Sequence, residues 1–465
     1  MRYRLLLLLM LFTRLHMQAQ TTLFVLSDTH VLAPEYTAQL GDPHSSGMLS
    51  ALSSDLLVAA VDSAIAWYRG QKQQETYLLL TGDMTYNGEE ASHRFVSRQL
   101  ARLKAAGIQP LVIPGNHDLL NKYARNSKTA DGTGANSVDR PTYRALYAPY
   151  GYVEADAVQG LSYVRRMGRH LALICLDDAL DDGGNTYYSD GALSPATLSW
   201  MLQQARQLRS EGRTILAAVH HHLLEHHMHE QELAGSRMLN ATAGNNCGVT
   251  TQQVQQAFAD AGIHYVLTGH FHAQDAQQTT LQTSEGNDHL LFDISTGSLA
   301  SGGNYMRTLR FSDQDTRMDI TSTHIQLQRD AHLLRQRGIN DWSETQTFRA
   351  YADSVLQASN DAFTHQQIQS RAGSLAGMLK PLLEPLSEAL DRFYMGDDAS
   401  GRPLTALGNK LLLGMLRMAK PDLYSLFDSM IRNFATTPQN VTPDLNLLDL
   451  PVQVVPTPAN VFPSR

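Results

Sequence analysis

The chain has 465 residues, 43% of them hydrophobic and 18% charged, with a mean hydropathy of -0.27. That is too long for a mini-scaffold and too apolar for wholesale disorder, and the length suits two or three folding units. Thirty-seven Lys and Arg against 45 Asp and Glu give a net charge of -8, which excludes the electrostatic footprint of a general nucleic-acid binder.

The first element in chain order is a leader. Arg2 and Arg4 precede an apolar run from Leu5 to Phe12, and a more polar stretch ends at Met17-Gln18-Ala19. This is the pattern of a cleavable signal peptide over residues 1–19, and it predicts export to a periplasmic or extracellular compartment. The run is far shorter than the roughly 20 residues a membrane span needs, and Arg14 interrupts it. Cleavage would remove three arginines and leave 34 basic against 45 acidic side chains, a balance of -11. No later uninterrupted apolar stretch approaches spanning length. Cys175 and Cys247 could pair or stay free, because two cysteines define no framework.

From residue 20 to about 330 short apolar runs alternate with helical patterns. Thr22–Leu26, Tyr77–Leu80, Leu111–Ile113, Thr214–Val219 and Tyr265–Leu267 read as strands buried on both faces. Helices are predicted at Leu56–Tyr68, Ser92–Ala106, Ser194–Arg209 and Thr251–Ala261, the third with Ser194 as its N-cap and Pro195 at its first position. Residues 340–435 read instead as a helical region, with amphipathic stretches at Ser343–Leu356, Ile368–Tyr394 and Leu404–Phe434. Residues 436–465, rich in proline, read as an extended tail.

Each of the five apolar runs is followed at once by metal-ligand residue types. They are Asp28-Thr29-His30, Gly82-Asp83, Gly115-Asn116-His117-Asp118, His220-His221-His222 and Gly269-His270-Phe271-His272. Ligands in α/β sheets gather at the carboxyl ends of strands, so five such ends predict one crevice. Carboxylate, imidazole and amide oxygen without thiolate suit Fe, Zn or Mn, and a two-oxygen carboxylate can bridge two ions. The glycines before Asp83, Asn116 and His270 would let the backbone turn where a ligand must point inward.

Taken in order, these five blocks resemble the calcineurin-like metallophosphoesterase superfamily, over the stretch from Thr21 to about Ile325. The resemblance implies an α/β fold, a four-layer α/β/β/α sandwich carrying a dinuclear centre, here with a C-terminal helical extension. It implies that Asp28, His30 and His272 hold one metal ion, that Asp83 bridges, and that Asn116, His220 and His270 hold the other. His117 would be the catalytic group that binds phosphate and assists the leaving oxygen, with Asp118 as its orienting partner. The family shows Pro or a small residue two places after the ligand that His220 matches, whereas this chain has His222. His221 is therefore the alternative ligand, and with Asn116 and His117 it is a candidate for substrate contact.

Softer candidates surround the five blocks. Tyr86, Asn87 and Gly88 form a turn-rich segment after Asp83, and Asn121 to Arg140 is a long polar stretch with Lys122, Arg125 and Lys128 that could close over a substrate or remain a solvated surface loop. His226, His227 and His229 read as part of a polar covering over the site. Together the readings predict an exported metal-dependent phosphoesterase with two metal ions and a small phosphorylated substrate, hydrolysing phosphate mono- or diesters through a metal-activated hydroxide. A nucleotide or diphosphate pyrophosphohydrolase is the alternative within enzymes. A secreted binding protein with a vestigial metal site is the alternative of another class.

Overall fold

The computed structural model describes residues 21–425, except 38–39, 45–46, 72–73, 182, 185–187, 227–237, 242–246, 313–317, 374–376, 397–403, 405–406 and 422–423. Residues 1–19 and 436–465, read from the sequence as a leader and an extended tail, and His227 and His229 lie outside the described residues.

Two sheets form the body. The five-stranded sheet has the order β12-β11-β1-β2-β3, with β1 at Thr21–Leu26, β2 at Glu75–Thr81, β3 at Gln109–Ile113, β11 at Tyr305–Phe311 and β12 at Met318–His324. Within it β1, β2 and β3 run parallel, while β11 and β12 are antiparallel. The seven-stranded sheet has the order β4-β5-β6-β7-β8-β10-β9. Its parallel centre is β6 (Leu171–Cys175), β7 (Thr214–Ala218), β8 (Tyr265–Thr268) and β10 (Asp288–Ser295). Antiparallel β4 (Ala157–Gln159), β5 (Ser162–Met167) and β9 (Asp275–Gln282) complete it.

Period-two alternation explains why the two sheets stack. Along β6, β7 and β8, Leu173, Cys175, Leu216, Ala218, Tyr265 and Leu267 face the core shared with the five-stranded sheet. Their neighbours Ala172, Ile174, Ile215, Ala217 and Val266 face a second core on the other side. Helices Pro195–Ser210 and Thr251–Ala261 cover that second face. Helices Ser53–Gly70 and Glu90–Ala106 cover the outer face of the five-stranded sheet, which gives the four layers. The helical stretch Ser50–Gly70 is long and apolar enough to cross a membrane by length and composition, yet its stripe of Leu56, Leu57, Ala60, Val61, Ala64 and Ile65 is buried in the core.

The capping signals act locally as their chemistry dictates. Ser194 accepts from Thr197 N–H ahead of Pro195, and Thr250 and Gln253 close a reciprocal capping box. Cys175 and Cys247 are both free thiols.

The C-terminal region folds as helices Phe348–Ala372, Leu383–Tyr394 and Leu407–Ala419. The first runs through a stretch that sequence periodicity left unassigned between Leu356 and Ile368. There its buried face carries Asn360 and Thr364, and Asn360 donates to Asp391 Oδ1 at 2.7 Å, so the hydrophobic period is broken while the helix continues. Phe348, Tyr351, Ala352 and Val355 join the main core.

Trp342 anchors this junction. It is 3% exposed, stacks on Tyr351 with ring centroids 5.1 Å apart, and packs on Phe348 at 5.4 Å. Trp342→Ala should cost about 3–5 kcal/mol, read as a lowered urea midpoint, with Trp342→Phe recovering part of the loss.

Candidate metal centre

The carboxyl ends of β1, β2 and β3 meet those of β7 and β8, so the five strand ends that predict one crevice come from both sheets. Its backbone is strained. Among the described residues eight non-glycine residues have positive φ, and five of them are Asp28, His30, Asp83, His270 and His272, at 48°, 38°, 47°, 64° and 62°. A left-handed conformation costs roughly 1–2 kcal/mol per residue, and such strain clusters where surrounding packing fixes a side chain for function.

Three overlapping groups result: Asp28, His30 and His272; His30, Asp83 and His117; and Asp83, His220 and His270, each with its ligand atoms within 4.8 Å of one another. Nε2 of His30 lies 3.0 Å from Nε2 of His272, and Asp28 Oδ1 is 3.4 Å from the latter. Asp83 Oδ2 lies 3.3 Å from His220 Nε2 and 3.9 Å from His30 Nε2, between the two outer groups. Its other oxygen accepts from the His117 backbone N–H at 2.8 Å. Asn116, 4% exposed, is buried on the same turn.

The glycines serve two different needs. Gly82 has a φ of 93°, the turn expected of it. Gly115 and Gly269 are instead required by close approach: a Cβ at Gly115 would meet Asp83 N and Oδ1 at 2.3 Å, and one at Gly269 would meet Ser27 Oγ at 1.9 Å.

Backbone carbonyls orient the imidazoles. His220 Nδ1 donates to Thr81 O at 2.7 Å, which turns Nε2 to Asp83. His117 Nδ1 donates to Tyr86 O at 2.7 Å. Asp118, read from the sequence as the partner that orients His117, does not do so. Its carboxylate accepts from Gly115 N–H, Met84 N–H, Thr85 N–H and the Thr85 hydroxyl at 2.9–3.2 Å, stapling the β2 and β3 turns together, and the Tyr86 carbonyl holds the position expected of it. Burial, with the charge of Asp83, pushes the Asp118 carboxyl up to about 6.

His221 also departs from its reading as a ligand or substrate contact. It is fully buried, with Nδ1 on Asp178 Oδ2 at 2.9 Å and Nε2 on Ser189 O at 3.1 Å, and its ring packs against His270 at 4.1 Å. Adjacent side chains at a strand end point to opposite sides, so His220 enters the centre and His221 supports His270 from behind. Asp178 escaped the sequence reading. It follows the apolar run Leu171–Cys175, a sixth strand end of the same kind.

The softer candidates separate as well. Arg140 binds Asp177, Asp181 and the Ala179 carbonyl, Arg125 and Lys128 are exposed, and Asn87 Oδ1 accepts from Asn121. His226, read as part of a polar covering, is buried in an ion network. Nδ1 donates to Asp275 Oδ2 at 2.7 Å and Nε2 lies 3.5 Å from Asp293 Oδ1. Asp293 also accepts from Leu223 and Leu224 N–H at 2.6 and 2.9 Å, fixing the chain beyond His220.

The arrangement fits cations. Asp28 Oδ1 and His220 Nε2 are buried without a hydrogen-bond partner, facing only ion-pair neighbours. Burial would raise the Asp83 carboxyl, but His220, His117 and His30 hold it well below the usual range. Burial likewise opposes charge on His220, yet Asp83 and Asp28 raise it to about 10. A field that keeps two buried carboxylates ionised and draws a proton onto an imidazole is one that attracts a cation.

Two layered sheets with an Asp/His centre at their joint strand ends define a metallophosphoesterase. The family model for calcineurin-like phosphoesterases matches residues 21–274, and the chain belongs to that family. Among solved structures, a dimetal phosphatase from Danio rerio is similar at 12% identity, over 65% of this chain and 95% of that one, with a TM-score of 0.42. The sulfate thiohydrolase SoxB of Thermus thermophilus, in complex with glycerol, is similar at 11% identity over 73% of this chain and 60% of that one, with a TM-score of 0.34. No match is found among curated proteins.

The His226 network gives a pH-dependent test. Burial opposes its charge, yet Asp293 and Asp275 raise the imidazole from the ordinary 6.5 to about 10. Because the folded value is raised, its stabilisation is complete below pH 6.5 and is lost as pH rises through about 10. The gap in urea midpoint between wild type and His226→Gln should therefore be largest near pH 6 and close towards pH 10.

Proposed function

We propose that the chain is an exported phosphoesterase that hydrolyses phosphate mono- or diesters at two metal ions, of Fe, Zn or Mn. Asp28, His30 and His272 would hold one ion, Asn116, His220 and His270 the other, and Asp83 would be shared. The observation that carries this reading is the overlap of the three ligand groups through His30 and Asp83, with Asp83 Oδ2 between His30 and His220.

Two cations, when bound, supply Lewis acidity that lowers the pKa of water and neutralises charge gathering on the phosphoryl oxygens. The protein's part is orientation and proton transfer. The His117 N–H fixes one oxygen of Asp83, so the shared carboxylate and the catalytic turn form one unit. Nδ1–H of His117 donates to the Tyr86 carbonyl, which fixes the ring with Nε2 at its free end; as the doubly protonated imidazolium it would give its Nε2 proton to the departing alkoxide and keep the Nδ1–H bond. His117 and His272 are only partly buried, and mark the open edge where a small phosphate ester would enter. The leader at residues 1–19 supports export.

Three measurements test the proposal. Protein loaded with Mn or Zn should turn over p-nitrophenyl phosphate, bis(p-nitrophenyl) phosphate or a nucleotide; two bound ions with no turnover on any of these would sink it. His117→Ala should keep its metal while kcat falls about 10²–10⁴-fold, and unchanged kcat would show the proton donor to be another group. Asp83→Ala should lose both ions in a metal analysis, because one carboxylate serves both positions.

A further inference from the structure

The segment between the last two proposed ligands is a tight turn. His270 and His272 both have positive φ, and Phe271 N–H donates to Gly269 O at 2.6 Å. A backbone of this kind holds its shape only when its surroundings over-determine it. The surroundings are the C-terminal helices. Phe271, 1% exposed, belongs to a core that includes Ile368, Leu382, Leu386, Leu390, Phe393 and Leu416. Its ring lies 5.7 Å from both Phe393 and Tyr394 at the end of helix Leu383–Tyr394, and 5.5 Å from His222 on its other side.

The same helix end is fastened to the backbone beyond the turn. Gln274 N–H donates to Tyr394 O at 3.3 Å, and the Tyr305 hydroxyl donates to Met395 O. A Cβ at Gly396 would meet Gln274 O at 3.0 Å, so helix and turn are in direct backbone contact. Gln274 is itself pinned to the body, donating to Ser322 Oγ at 2.5 Å and accepting from Gly297 N–H at 2.8 Å.

We infer that Phe271 is a positioning residue through which the C-terminal helices hold the metal centre in shape. Resting on the metal-centre reading above, this gives the helical extension a task. Phe271, clamped by Phe393 and Tyr394, keeps the 269–272 turn in its left-handed form, and that form aims His270 and His272 at their two separate groups. One hydrophobic contact from outside the family-matched residues 21–274 thereby sets ligands of both metal positions.

The test uses the full chain and Mn(II) as the probe. Phe271→Ala and Phe393→Ala should weaken Mn(II) binding to the metal-free protein about 10–100-fold by titration calorimetry, at a temperature where circular dichroism shows each variant folded. Phe271→Leu should restore most of the affinity. Leu416→Ala, in the same core but on helix Leu407–Ala419, should lower the thermal midpoint while leaving Mn(II) affinity unchanged. Hydrogen exchange of the metal-free protein should show faster exchange at residues 269–274 in Phe271→Ala than in Leu416→Ala. Equal loss of affinity in Phe271→Ala and Leu416→Ala, or wild-type affinity in Phe271→Ala, would overturn the clamp and leave the metal centre standing. A wild type that takes up no Mn(II) would overturn the metal-centre reading and the clamp with it.

Discussion

The carboxylate of Asp83 can sit between His30 and His220 only because two separate sheets end at the same place. His30 follows β1 and Asp83 follows β2, in the five-stranded sheet, whereas His220 follows β7 in the other. Everything that fixes the relative height of the two sheets therefore acts on that one contact. The shared core does most of this, through Leu173, Leu216, Tyr265 and Leu267 packing against the β1 and β2 side chains. Across the joint, His220 Nδ1 donates to Thr81 O and His270 N–H to Asp28 Oδ2, while within each sheet Asp28 N–H to Gly82 O, His30 N–H to Asp83 O and Gly269 N–H to His220 O bind each ligand-bearing turn to its neighbour.

This arrangement is costly in isolation. Five left-handed residues and a set of buried carboxylates would each disfavour the folded state. The cost is offset because the same groups satisfy one another. Asp28 Oδ2 accepts from His270 N–H at 2.9 Å, Asp83 Oδ1 accepts from His117 N–H, and Asp118 accepts four bonds from two turns. Carboxylates that look from the sequence like chemistry thus divide into two kinds. Asp28 and Asp83 keep one oxygen for the backbone and direct the other inward, while both oxygens of Asp118 are spent on the β2 and β3 turns.

The same division explains how far the sequence was legible. Ligand blocks at the ends of β1, β2, β3, β7 and β8 stood out because those strands are buried on both faces and read as apolar runs ending in polar residues. The strands around them did not. β9, Asp275–Gln282, alternates half-buried and exposed positions from Gln277 on but is composed mostly of Gln, Thr and Asp, so its pattern carries no hydrophobic signal. Asp178 was passed over because its strand precedes no glycine or histidine. His221 and Asp118 were misread for a different reason: residue type and spacing mark a turn as functional, but they do not say which way each side chain on that turn points. Only the acceptors actually present, Ser189 O and Tyr86 O among them, decide that.

Phe271 shows the same limit from the opposite direction. Between two histidines in a Gly-His-x-His block it looks like the one position without chemistry, an apolar residue at a polar turn. At such a turn the side chain would be exposed to water unless another surface covered it. A partner surface is therefore required, and the body formed by residues 21–324 does not supply all of it: the aromatic contacts come from Phe393 and Tyr394, more than a hundred residues later in the chain. An apolar residue held between two ligands ties the shape of the centre to the packing of a distant segment, and it makes the helical extension part of the same structural problem as the metal site.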